Sequence, residues 1–251
     1  MPTLDRNGVH IYYEVHGSGP AILLTHGFSA TTEMWKPNIP VLSQRYRLIL
    51  WDMRGHGQSD SPSDPYRYSA DLTVGDMDAL LDACGEKQAV LGGHSLGGFM
   101  SLAYHLLHPE RIRALMLFDT GPGYKKDEAR AGWNKRAETI ARAFEEKGLE
   151  ALGRSAEVLT SKHRSAQGLA YAARGMLAQR DARVINSLES ITVPTLVLVG
   201  DKDDAYFAAT DYMASKIPGA KKVVIPDAGH AANIDQPEKF NQAVLEFLSH
   251  V

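Results

Sequence analysis

Ala89-Val90-Leu91-Gly92-Gly93-His94-Ser95-Leu96-Gly97-Gly98 is the stretch on which the reading of the whole chain turns. A short apolar run breaks into Gly93-His94-Ser95-Leu96-Gly97, a G-x-S-x-G string. Residues 96–108 then carry Leu102, Ala103, Leu106 and Leu107 at helical spacing until Pro109 intervenes. A strand that turns sharply into a helix thrusts the residue at the turn above the sheet, where its side chain is free to react. Gly93 and Gly97 keep neighbouring backbone from colliding with such a turn, while Gly92 and Gly98 add room or serve close helix–strand packing. The bare string recurs by chance; the strand before it and the helix after it make Ser95 the expected nucleophile.

The same punctuation recurs on both sides. Residues 9–15, with Ile11, Tyr12 and Tyr13, read as a strand of an N-terminal hairpin, and Gly17-Ser18-Gly19-Pro20 as a turn. Residues 21–25 stop at His26-Gly27-Phe28, and 47–51 at Asp52-Met53-Arg54-Gly55-His56-Gly57. Residues 113–118 lead to Asp119-Thr120-Gly121-Pro122, 195–199 to Gly200-Asp201-Lys202-Asp203-Asp204, and 221–225 to a loop over 226–236. Runs that are apolar throughout imply burial on both faces, hence a largely parallel sheet flanked by helices. Helical segments fall between them at 33–43, 71–83, 96–108 and 237–250, the last with Pro237 in its first turn, where a missing N–H costs little.

Residues 123–190 hold helix-like runs at 128–147 and 166–179 and no strand. The chain therefore divides into a core of 1–122 and 191–251 and an inserted helical cap of 123–190. An elaborated crossover has the same topology without a lid. The cap is the reading adopted, because the insertion falls where it can cover the carboxyl ends of the strands, the place where open α/β sheets bind ligands.

Composition narrows the function. A chain of 251 residues buries one large core, and 44% hydrophobic with 23% charged residues is too balanced for disorder. A net charge of -3 makes no case for nucleic acid. Residues 123–190 hold 13 Lys/Arg against 9 Asp/Glu, a local +4 that reads as the solvated face of several helices before it reads as an attraction for acidic substrates. The single cysteine, Cys84, has no disulfide partner within the chain and follows Leu80-Leu81 as a buried helical residue. The start, Met1-Pro2-Thr3-Leu4-Asp5-Arg6, lacks the pattern of a signal peptide, and no run has the length of a membrane span, so a cytoplasmic protein with no membrane contact is expected. Oligomeric state is open between monomer and homodimer.

A serine is a poor nucleophile until a base takes its proton, and the base needs an acceptor behind it to hold the right tautomer. His230, in Gly229-His230-Ala231 between the last strand and the last helix, stands where that base is required. Asp201, Asp203 and Asp204 all follow the preceding strand, and spacing does not separate them. The order Ser95, then an aspartate, then His230 suits acid and base at the ends of separate strands. Negative charge on a substrate carbonyl oxygen calls for two N–H donors: the amide of Leu96 at the helix start and that of Phe28 after His26-Gly27. The Phe28 side chain is a further candidate for the substrate pocket, with plain core packing as the alternative.

Taken together, His26-Gly27-Phe28, the segment DMRGHGQS at 52–59, GHSLGG at 93–98, Gly200 to Asp203 and Gly229-His230 resemble the α/β-hydrolase superfamily. The similarity is to its small capped members: carboxylesterases, enol-lactonases, carbon–carbon bond hydrolases of aromatic degradation and non-haem haloperoxidase-like esterases. The resemblance spans essentially the whole chain apart from the cap. It implies the α/β-hydrolase fold, with a mostly parallel eight-stranded sheet and a helical cap insertion, and a Ser95–His230–Asp203 catalytic triad. Asp203 leads among the acids because the family usually places the acid three residues beyond the strand-ending glycine. Asp204 follows, and Asp119 is a more distant alternative because some related folds take the acid from there. Segment 52–59 is a structural loop in relatives, so Arg54 and His56 are expected to fix the loop.

Relatives resembling epoxide hydrolases and haloalkane dehalogenases carry aspartate at the nucleophile position, and Ser95 argues against both reactions. The expected function is cleavage of a small-molecule carboxylic ester or lactone by water through an acyl-enzyme. The closest alternative is carbon–carbon bond hydrolysis of a dienol acid with the same three residues, for which Arg130, Lys135 and Arg136 are the basic candidates. A slow-turnover ligand-binding protein on the same scaffold is a third reading. Trp133, Phe144, Tyr171 and Met176, with Phe28, are candidates for the pocket wall, cap-to-core packing being the commoner fate of such side chains. No H-E-x-x-H, phosphate-loop or dinucleotide pattern occurs, so no metal and no cofactor are expected.

Overall fold

The computed structural model describes residues 2–251; Met1, the first residue of the N-terminal stretch read above, lies outside the described residues. β1 (Thr3–Asp5) and β2 (His10–His16) pair antiparallel, and β2 also runs antiparallel to β4 (Arg47–Trp51). All further pairings are parallel: β4 with β3 (Ala21–Thr25), β3 with β5 (Ala89–His94), then β6 (Ile112–Phe118), β7 (Thr195–Gly200) and β8 (Lys221–Ile225). The result is one eight-stranded sheet in the order β1-β2-β4-β3-β5-β6-β7-β8. Burial follows position: β3, β5 and β7 are buried at every residue, whereas the edge strand β8 alternates. A strand covered on both faces must be apolar throughout, and an edge strand need not be.

Alternate side chains feed opposite faces. Leu23, Ile49, Trp51, Leu91, Leu115 and Val197 point into one core, which is packed by α2 (Ala70–Ala83) and α3 (Leu96–Leu107). Ile22, Leu24, Leu50, Val90, Phe118 and Leu198 point into the other. That second core is closed by Trp35, by Leu42 of the short α1 (Ile39–Leu42), and by Phe240 and Val244 of α10 (Pro237–Leu248). From β3 the chain pairs first with β4 on one side and then with β5 on the other. That reversal opens a crevice at the carboxyl ends of β3 and β5, where loop 26–28 and Ser95 meet.

The expected helix over 33–43 is instead a 3-10 turn at Thr32–Trp35 followed by α1, four residues long. Pro37 and Pro40 each lack an N–H, so neither can donate the bond to the carbonyl four residues back that would carry a single helix through the stretch. Between β6 and β7 all regular structure is helical: α4 (Asp127–Lys147), α5 (Ala156–Leu159), α6 (Ala166–Ala172) and α7 (Arg183–Asn186), with 3-10 and π turns between them. The expected continuous helix over 166–179 ends early. After α6, Ala173–Leu177 wind as a π-helix in which Gly175 meets the Tyr68 backbone so closely that a Cβ would sit 2.1 Å from its carbonyl oxygen.

Loop 52–59 ties these layers together. Asp52 accepts the amides of Thr32 and Gln58, both at 2.8 Å. Arg54, buried, makes a two-pronged bond to the buried carboxylate of Asp76 on α2, each prong 2.7 Å. Residues before α6 rest on the same loop: Gly57 N donates to His163 Nδ1 at 3.1 Å, and Arg164 donates to the carbonyls of Gly57, Gln58 and Ser59. No helix among the described residues is long and apolar enough to cross a membrane.

Candidate active site

β5 ends at His94 and α3 begins at Leu96, so the whole turn is made by Ser95, at φ 51° and ψ -115°. Such a conformation costs a non-glycine residue roughly 1–3 kcal/mol, and it persists only where the surroundings over-determine it. Here they do. Ser95 N donates to Phe118 O at 3.0 Å, while Ser95 O accepts from Thr120 Oγ1 at 2.5 Å and from the amides of Gly98 and Phe99. The flanking glycines are steric requirements. A Cβ on Gly93 would lie 2.2 Å from the Gly97 carbonyl, and one on Gly97 would lie 2.2 Å from Thr25 O.

Loop 26–28 presses against this turn: a Cβ on Gly27 would stand 3.3 Å from that of Ser95. His26 is buried and neutral. Its Nδ1 donates to Gly27 O at 2.6 Å, its Nε2 accepts from Met53 N at 3.0 Å, and burial pulls its pKa down to about 3. The loop is therefore held rigidly from inside. Among the described residues, the amides of Phe28 and Leu96 donate to no protein acceptor, which leaves two N–H groups free beside Ser95.

His230 reaches the site from the loop after β8. That loop fits against the end of β7 because Gly200 has no side chain; a Cβ there would lie 2.3 Å from Gly229 O. His230 Nδ1 donates to Asp203 Oδ2 at 2.7 Å, and Asp203 is buried at the start of α8 (Asp204–Lys216). The neighbouring acids are occupied differently. Asp201 accepts from Ala228 N, and Asp204 is exposed. Asp119, just after β6, accepts from Gly200 N at 2.8 Å, and burial raises its carboxyl well above the usual range. Burial works to lower the His230 pKa, but the hydrogen bond and charge of Asp203 outweigh it, and the ring ends above 6.5. With the proton held on Nδ1, the Nε2 lone pair is free. Beside it, His94 donates from Nε2 to His230 O at 2.5 Å, and burial holds His94 neutral at about 3.

Ser95 opens into a cavity of ≈ 90 Å³ walled by Leu96, Phe99, Trp133, Leu177 and Tyr206, with Gln179 among its polar groups. No charged side chain lines it. Among the described residues no group of three or more His, Cys, Asp or Glu side chains is placed to hold a metal ion.

Residues 20–155 match the family model for the alpha/beta hydrolase fold. The chain belongs to the α/β-hydrolase family. Within that family it is 29% identical over 264 residues to a protein of Bacillus subtilis described as a 2-succinyl-6-hydroxy-2,4-cyclohexadiene-1-carboxylate synthase, covering 96% of each chain. It is 30% identical over 262 residues to 3-oxoadipate enol-lactonase 2 of Acinetobacter baylyi, covering 96% of this chain and 94% of the other. Among solved structures it is similar to a thermophilic esterase from Thermogutta terrifontis, with a TM-score of 0.82 at 30% identity, covering 99% of this chain and 96% of the other.

In this α/β hydrolase the aromatic residues expected at the pocket are placed differently from expectation. Trp133 does border the cavity, its Nε1 donating to Leu177 O at 2.8 Å. Phe28, Phe144, Tyr171 and Met176 do not line it, a correction to the expected pocket. Phe28 is wedged between the rings of His56 and Phe144, at 5.5 and 6.2 Å. Tyr171 lies against Tyr68, and Met176 is fully buried in the core. The apolar face of α4 carries Ala137, Ala141 and Phe144 inward, and Ala141 and Phe144 pack on Leu169 and Ala170 of α6 and against Phe28, so this stripe joins the two helices to each other and to the loop after β3. Conversely, Phe99, Leu177, Gln179 and Tyr206 border the cavity with no earlier assignment. Phe99 had a usable signal, four residues after Ser95 and so one turn along the same helix.

Proposed function

We propose that this protein is a serine hydrolase that cleaves a small, uncharged carboxylic ester or lactone. The observation that carries the reading is Ser95 in a strained turn on the wall of a cavity, with two free amides beside it and a histidine, His230, bonded to a buried Asp203. Ser95 Oγ attacks the carbonyl carbon as His230 Nε2 takes its proton. The oxygen that becomes negative is received by the amides of Phe28 and Leu96. His230 then protonates the departing alcohol, which in a lactone stays attached through the ring. A water activated by the same imidazole releases the acid from Ser95.

The uncharged wall favours a neutral substrate over a dienol acid, whose carboxylate needs a cation. None of the basic residues considered for that role lines the cavity: Arg130 is bonded to Asp127 and Tyr124 O, Lys135 is exposed, and Arg136 lies over the Trp133 ring at 5.8 Å while itself exposed. A volume of ≈ 90 Å³ amounts to about six to nine water positions, room for a short acyl or alkyl group. The test is steady-state hydrolysis of p-nitrophenyl esters from acetate to octanoate, simple lactones and an aromatic dienol acid. The highest kcat/KM is expected on short esters or lactones; turnover confined to the dienol acid would overturn the proposal.

Chain length gives a second prediction. Phe99 and Gln179 also border a separate cavity of ≈ 60 Å³ between α2, α3 and α7, lined by Val74, Ala103, Leu106 and Val184. Phe99→Ala joins the two spaces and should raise the octanoate-to-acetate ratio of kcat/KM by about tenfold or more. An unchanged ratio would show that acyl chains do not run past Phe99.

Acidity gives a third. The base must be neutral to act, so kcat/KM is expected to rise with pH through a midpoint above 6.5, as His230 loses its proton. Asp203→Asn removes the hydrogen bond and charge that raise the imidazole, so the midpoint should move down. The plateau should fall by on the order of 10⁴, because the tautomer is no longer enforced. A midpoint that stays in place would dissociate Asp203 from the titrating group.

A further inference from the structure

Tyr206 touches His230 and neighbours Ser95, and neither relation is used by the hydrolytic mechanism as written. Its ring lies nearly parallel to the imidazole, centroids 4.9 Å apart and planes 19° from each other. Its hydroxyl end neighbours the Ser95 side chain, and both residues border the same cavity. Tyr206 stands in the first turn of α8, three residues after Asp203, so one helix start delivers both the carboxylate that bonds His230 and the aromatic plate that covers it. His94 contributes a second ring, 4.7 Å away but tilted by 57°, and its donation to the His230 carbonyl restrains backbone rather than imidazole. Plain packing would need only an apolar side chain at Tyr206. A flat π face on a ring that becomes cationic, on a residue that shares a cavity wall with the nucleophile, has a more specific use.

We propose that Tyr206 is a positioning residue: its ring steadies His230 and favours the imidazolium formed when Ser95 gives up its proton, and its hydroxyl restrains the Ser95 side chain for attack. The inference rests on the serine-hydrolase reading above. A cation over an aromatic face is attracted by the ring quadrupole, most strongly where water is largely excluded. The charged or titratable groups facing His230 are Asp203 just before α8, Asp119 just after β6, Glu157 from α5 and His94 from β5. Those facing Tyr206, besides Ser95, are Asp203, Tyr124 and Arg136. None is altered by changing Tyr206, so replacements there report on its own ring and hydroxyl.

Tyr206→Phe keeps the ring and removes the hydroxyl; Tyr206→Leu keeps apolar cover and removes the π face. For both, kcat and KM on a short ester are measured across pH, and the His230 imidazole is titrated by NMR without substrate, its signal assigned by His230→Gln. In Tyr206→Phe, kcat should drop about three- to tenfold with KM nearly constant and the acid limb in place. In Tyr206→Leu, both the acid limb and the NMR midpoint should move down by about half a pH unit, with a larger loss in kcat. The proposal is overturned if the NMR midpoint is the same in Tyr206→Leu as in the wild type, or if Tyr206→Phe retains full kcat. If the wild-type protein hydrolyses no ester or lactone, the serine-hydrolase reading fails, while the NMR midpoint still decides the effect of the ring on His230.

Discussion

Ser95→Ala should lower kcat on the best ester substrate by on the order of 10⁵–10⁶ with little change in folding. The hydroxyl is removed, but the turn itself is held by backbone: Ser95 N to Phe118 O, and Ser95 O to Thr120 Oγ1 and the amides of Gly98 and Phe99. Alanine occupies φ 51° at a cost similar to serine, so the denaturation midpoint should stay close to that of the wild type. The two free amides and the His230–Asp203 pair remain, and they account for whatever slow hydrolysis by direct water attack survives. Residual activity above about one per cent of wild type, on a scale where a full knockout costs on the order of 10⁶, would mean that Ser95 is not the attacking group.

Asp76→Ala should be the most damaging single change to stability outside the site. It strands the Arg54 guanidinium, 2% exposed, without the carboxylate that both neutralises it and accepts two of its hydrogen bonds. Removing one member of a buried pair costs about 3–5 kcal/mol, because the other charge is left uncompensated. Arg6 also bonds Asp76, at 3.1 Å, so the β1–β2 hairpin loses an anchor in the same step. For a domain of this size the cost corresponds to a fall in Tm of about 6–20 °C. Activity should suffer less than stability below the transition, since Asp76 acts on loop 52–59 rather than on the reacting atoms. A loss under about 1 kcal/mol, within the range of an exposed ion pair, would show that Arg54 reaches water when its partner is gone.

The sheet was readable because burial on both faces forces a strand to be apolar from end to end, and because these strands stop at glycine, aspartate or histidine. β3, β4 and β8 begin and end where the apolar runs do, while β5 and β7 continue into their glycines, whose lack of a side chain hides them from a hydropathy reading. The helix expected at 33–43 was misread because periodicity outweighed two prolines. Within the site, Ser95 and His230 stood out by their places at strand ends. Adjacent acids did not, because whether Asp203 or Asp204 turns inward depends on the φ and ψ at the start of α8. The part of the cavity wall drawn from residues 123–190 was the least legible. An apolar stripe on α4 is the same pattern whether it meets a substrate or another helix, and only the packing on α6 distinguishes them. Tyr206 was missed for a related reason: α8 has no strong apolar face to mark it as a helix, so its spacing from Asp203 carried no weight until the fold placed both beside His230.

Covalent capture of the acyl-enzyme tests the central claim most directly. Wild-type protein mixed with p-nitrophenyl butanoate, quenched in acid within the first turnovers and examined by intact-mass and peptide mass spectrometry, is expected to carry one butanoyl group on the peptide containing Ser95. An alkyl fluorophosphonate should mark the same residue permanently, and Ser95→Ala should acquire neither label. Ester turnover without any adduct, or an adduct that persists in Ser95→Ala, would contradict the account.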